Sequence, residues 1–151
     1  MPKRFLHTLW ASAAILFAAL PLAAQDAAVD LATEIKAGAA DGVVLERCAG
    51  FFQALRIANG NPDPQKAQVA AQTVQSMFEG LIALKLPEHE GEVSDMVQKI
   101  RQGIDDQARF YLDRMVASIK EGGSPFDDLM AVDQGVCLLI AKARQEQAAE
   151  K

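Results

Sequence analysis

Apolar residues recur at three- and four-residue steps along most of the chain, and no stretch keeps the period of two that a half-buried strand requires. The clearest run is Val43 to Asn59, VVLERCAGFFQALRIAN, where Val44, Leu45, Cys48, Phe51, Phe52 and Leu55 share one helical face. Glu46, Arg47, Gln53 and Arg56 fall mostly on the other side. The pattern predicts an amphipathic helix with Asp41 as its cap and Asn59-Gly60 as its left-handed end.

Three more helices follow by the same reasoning. Asp63 and Pro64 suit a cap and a first helical position, opening a helix to about Leu86 with Val69, Val74, Met77, Phe78, Leu81 and Ile82 inward. Pro87 stops it. From Glu92 to about Lys120, Val93, Val97, Ile100, Ile104, Ala108, Tyr111, Met115 and Ile119 make the longest periodic stripe. Gly122-Gly123 breaks that helix, and Ser124-Pro125-Phe126-Asp127 predicts the start of the last one. Its buried stripe is Leu129, Met130, Val136, Cys137 and Ile140, and Asp133 marks a point where it can kink and restart.

Four such helices with short connections predict an all-α antiparallel bundle, up-down-up-down, over residues 42–147. Residues 148–151 read as a polar tail. Residues 25–41 hold a short alanine-rich segment with Leu31 and Ile35 four apart and Glu34 and Lys36 outward, expected to be frayed or loosely docked.

The first 24 residues have a different logic. Lys3 and Arg4 form a basic start, Thr8 to Leu20 an uncharged apolar run, and Pro21-Leu22-Ala23-Ala24 an end in small residues, the layout of a secretory signal peptide. Periplasmic or secreted localisation is the expectation, with no membrane span after cleavage. The net charge of -5 becomes -7 once Lys3 and Arg4 are removed. An acidic domain without basic clusters repels phosphate, so nucleic acid is not an expected partner.

Export changes how the two cysteines read. Cys48 and Cys137 are the only pair available, and an oxidising compartment favours a disulfide between them. Such a bond requires the first and last long helices to lie within about 7 Å at their α-carbons. A redox role lacks a C-x-x-C pair.

Candidate chemistry is sparse. Beyond the leader the chain keeps one histidine, His89, in the turn Glu88-His89-Glu90-Gly91-Glu92. A serine or cysteine triad would have to use it, and covalent haem lacks its C-x-x-C-H attachment motif. Glu88, His89, Glu90 and Glu92 are the only residues with metal-ligand character, and weak candidates, because neighbours on one loop rarely converge on one ion. Asp105-Asp106 and Asp127-Asp128 read as solvated acids. Gly50, Gly80, Gly103 and Gly135 lie inside predicted helices, where each costs about 1 kcal/mol relative to alanine; they mark either close packing or space for a ligand.

No cofactor is implied. The reading that fits is a small exported helical protein without a catalytic constellation, acting by binding a protein partner or a copy of itself. A carrier with a small molecule between its helices is the alternative. A metal-dependent enzyme built on the Glu88–Glu92 turn is a third.

Overall fold

The computed structural model describes residues 28–60 and 63–149, and the leader expected at residues 1–24 lies outside them. All regular structure among the described residues is helical: α1 (Leu31–Lys36), α2 (Asp41–Ala58), α3 (Pro64–Lys85), a 3-10 turn (Leu86–Glu88), α4 (Val93–Lys120) and α5 (Asp128–Ala149).

Short side chains start three of the helices. The Asp30 carboxylate accepts from the Thr33 N–H at 2.9 Å, and Asp63 accepts from Gln65 and Lys66 with Pro64 at the first position. For α5 the cap is Asp127, which accepts from the Met130 N–H at 2.9 Å. The helix therefore begins later than the Ser124-Pro125 pair predicts. The Ser124 hydroxyl instead accepts from the Phe126 N–H in the preceding turn. Asp41 is not the cap of α2 either; Ala40 holds that position and Asp41 is a first-turn acid. Gly60 ends that stretch with φ of +55°, a conformation that favours glycine.

The core is built around α2, which buries Val44, Leu45, Cys48, Ala49, Phe51, Phe52 and Ala54. Onto it α4 turns Met96, Ile100, Ile104, Ala108, Tyr111 and Met115, and α3 adds Met77 and Leu81. Phe51 sits edge-on to Tyr111, with ring centroids 5.1 Å apart. The most extensive packing is between α2 and α4, followed by α2 and α3. In the expected ring order α2 and α4 would be diagonal; here they are the closest partners.

Gly50 explains that closeness. A Cβ there would lie 2.3 Å from the Gln107 Cβ and 2.9 Å from the Ala108 nitrogen. Backbone atoms cannot step aside cheaply, so Gly50→Ala is expected to destabilise by about 1–3 kcal/mol despite alanine's better helix propensity. A lower denaturant midpoint at unchanged slope is the readout.

The predicted stripes overrun the core at their ends. Val93 and Ile119 are about half exposed at the two ends of α4. The cause is length: 28 residues make a helix of about 42 Å and the 18 of α2 only about 27 Å, so the longer helix projects past its cover. Val69, near the start of α3, is also half exposed, and Thr73 is buried in its place.

Two expectations about the ends of the chain are overturned. Helix α5 continues through Asp133 without a restart, since that carboxylate is buried in side-chain contacts rather than capping a new turn. The N-terminal segment is not loosely docked: Leu31 is fully buried and its N–H reaches Asp133 at 2.6 Å. Cys48 and Cys137 are bonded, with α-carbons 5.2 Å apart, and the bond fastens α5 to α2.

Candidate functional site

Beneath α1, four side chains from four helices meet in the interior. Arg47 of α2 donates from Nε and Nη2 to Asp133 Oδ2 at 3.1 and 2.8 Å. Its Nη1 reaches Glu34 Oε1 at 2.6 Å, and Nη2 also reaches the Val29 carbonyl at 2.6 Å. The Tyr111 hydroxyl of α4 donates to Asp133 Oδ2 at 2.5 Å and accepts from Arg47 Nε at 3.0 Å. With the Leu31 N–H on Oδ1, the carboxylate is surrounded by donors. Asp133 and Tyr111 are fully buried and Arg47 nearly so.

Arg47 is thus not on the solvated side of its helix, as the sequence pattern places it, and Glu34, expected outward, is partly covered by its bond to Arg47. The buried arc of α2 is wide because α3, α4 and α5 all pack on it, and Glu34 of α1 reaches in to Arg47. The legible signal was Asp133. It is the one charge in the 13 residues Leu129–Ala141, LMAVDQGVCLLIA, and a lone carboxylate in such a run calls for a buried partner.

Electrostatics follow from the geometry. Burial works against the Arg47 charge, but the Tyr111 hydroxyl and the Asp133 carboxylate outweigh it and hold its pKa above the ordinary guanidinium value. Burial, aided by the adjacent Asp133 charge, pushes the Tyr111 phenol up, with Arg47 opposing in part. A phenol whose pKa is higher in the fold than in the unfolded chain stabilises the fold below the unfolded value, about 10. That contribution is lost as the pH rises past it. Stability is therefore expected to fall above about pH 10 with the slope of one proton, and Tyr111→Phe should remove that fall. Tyr111 is the only tyrosine in the chain, so its tyrosinate absorbance reports the titration directly.

Asp133 and Tyr111 are closed off from solvent, and only Glu34 is partly exposed. The chemistry of the cluster is that of a clamp, tying α1, α2, α4 and α5 at one point.

The other notable feature is on the surface. Helix α5 buries only a narrow stripe, Met130, Asp133, Cys137 and Ala141. Leu129, Val136 and Ile140, expected in that stripe, are only partly covered. On the opposite side Ala131, Val132, Gly135, Leu138 and Leu139 are exposed, with Leu139 71% accessible. This outer face carries no charge between Asp128 and Lys142. Beside it a groove of about 630 Å³ runs between α3 and α5, with Phe52, Val69, Ala70, Leu138 and Ala141 as its apolar lining and Asp63, Lys66 and Lys142 as its charged residues.

Two of the interior glycines, Gly80 and Gly103, are covered by charged side chains. At Gly80 a Cβ would lie 2.5 Å from the Arg144 guanidinium, which lies over the glycine and donates to the Ser76 carbonyl at 2.7 Å. At Gly103 it would lie 2.5 Å from the Glu46 carboxylate. Gly135 has nothing within 4 Å among the described residues. Of the four interior glycines, Gly50 alone packs closely against the backbone of another helix.

Glu88, Glu90 and Glu92 are exposed around the 3-10 turn, and a ring nitrogen of His89 lies 3.0 Å from the Glu92 carbonyl. Among the described residues no group of three or more histidine, cysteine, aspartate or glutamate side chains is arranged to hold a metal ion. No described helix is long and apolar enough to cross a membrane. Comparison with known proteins returned no match, whether with a family model, a curated protein or a solved structure.

Proposed function

We propose that this chain is a small exported protein that acts by binding a protein, either a partner or a copy of itself, through the outer face of α5. The observation that carries the reading is the two-sidedness of that helix. One apolar stripe faces the core, and a second, with Val132, Leu138 and Leu139, faces water over a length free of charge. A helix that is apolar all round is ordinarily buried on all sides, and exposed apolar patches of this kind mark interaction sites. Export is supported by the leader-like residues 1–24 and by the bonded cysteines, which suit an oxidising compartment.

A photo-reactive residue placed at position 139 in the living cell tests this. Cross-linking to protein is expected there and not from the exposed Lys99 position on α4. Equal yields from both positions would contradict the reading.

A second reading, a carrier of small molecules, is favoured by the α3–α5 groove, whose largely apolar lining with Asp63, Lys66 and Lys142 along it suits an amphiphile. A Leu138→Lys variant would then lose any co-purifying ligand seen by mass.

A further inference from the structure

Resting on the binding reading above, we infer that the occupant of the α5 outer face is a second copy of this chain, paired antiparallel about a two-fold axis at Gly135. The argument lies in the order of residues along the exposed side. Asp128, Val132, Gly135, Leu139 and Lys142 follow steps of four, three, four and three, the spacing that keeps a seam in line along a partner helix. Ala131 and Leu138 flank it, also exposed.

That seam is self-complementary in one orientation only. Asp128 and Lys142 lie seven residues before and after Gly135, about 21 Å apart along the helix. In an antiparallel pair centred on Gly135, each Asp128 meets the Lys142 of the other copy, and Ala131 and Val132 meet Leu138 and Leu139. A parallel pair would instead set acid against acid and base against base. The centre is suitable as well, since Gly135 has open space around it and presents no side chain to hold two backbones apart. A two-fold interface of this isologous kind is the commonest way for a chain to bury a patch against itself. Neither end charge is tied strongly elsewhere: Lys142 has only an exposed contact with Glu146 at 3.9 Å. Closing the pair would cover Leu139, the most exposed of the large apolar residues.

Sedimentation equilibrium of the disulfide-bonded protein over a range of concentrations tests the inference. The expected result is a monomer–dimer equilibrium with twice the chain mass at the upper end. Leu139→Lys, which removes two apolar contacts per dimer, should weaken it by about a hundredfold. Lys142→Asp alone should also weaken it, and adding Asp128→Lys should restore it. That rescue is specific to the antiparallel register, and circular dichroism of each variant checks that the helices are intact. A strict monomer, a dimer indifferent to Leu139→Lys, or a charge swap without rescue would each overturn the inference. The binding reading fails separately. A monomer that still cross-links from position 139 to a different protein loses the self-pairing and keeps the interface.

Discussion

Replacing Asp133 with alanine is expected to lower the stability of the fold by about 3–5 kcal/mol. The large value comes from what the substitution leaves behind. Arg47 would keep its charge in the interior with two of its hydrogen bonds gone, and Tyr111 and the Leu31 N–H would lose their acceptor. Only Glu34, itself partly exposed, would remain as a counter-charge. The loss is a large share of the roughly 5–15 kcal/mol that holds a typical domain folded. The clamp is not thereby worth that much, because burying the pair had its own cost. The control is Arg47→Met with Asp133→Leu, which fills the space without charges. It should recover most of the loss, whereas Arg47→Met alone should be as harmful as Asp133→Ala. Urea denaturation of the wild type, the two single variants and the double variant, compared at equal slope, checks both expectations.

Removing the disulfide is expected to have a comparable effect. The Cys48–Cys137 bond closes a loop with a sequence separation of 89, and constraining so long a loop in the unfolded chain stabilises by about 4–5 kcal/mol in the chain-entropy picture. Cys48→Ala with Cys137→Ala should show that loss in denaturation. The consequence should also be local. Helix α5 packs on α2 and α3 far less extensively than α2 packs on α4, and α1 packs chiefly on α5. With the bond gone, amide exchange is expected to accelerate first in α1 and α5, while the α2–α4 pair stays protected. Uniform acceleration throughout would show that α5 is held by its packing and not by the bond and the clamp.

The helical class, the extents of α2, α3 and α4, the Asp63-Pro64 start and the cysteine pairing were all readable from the pattern of the chain. They depend on local chemistry, the period of apolar positions, caps and prolines, or on there being only two cysteines. What the pattern could not show depends on which helix covers which. Arg47 sits on the side that its neighbours mark as polar, and only a helix surrounded on several sides makes that side interior. Val69, Val93 and Ile119 continue their stripes into water because the partner helix is shorter or turned away. Gly80 and Gly103 looked alike in sequence, yet one lies under Arg144 and the other under Glu46. The outer face of α5 had a visible sign, since Leu138 and Leu139 follow Cys137 directly and three adjacent positions cannot all face one core.

A native mass spectrum of the protein purified from its own host without reductant tests the whole proposal most directly. The predicted species is residues 25–151 less two hydrogens, held in a non-covalent complex with protein mass added. A lone full-length chain with free thiols would contradict it, removing export, the Cys48–Cys137 bond and the occupied α5 face together.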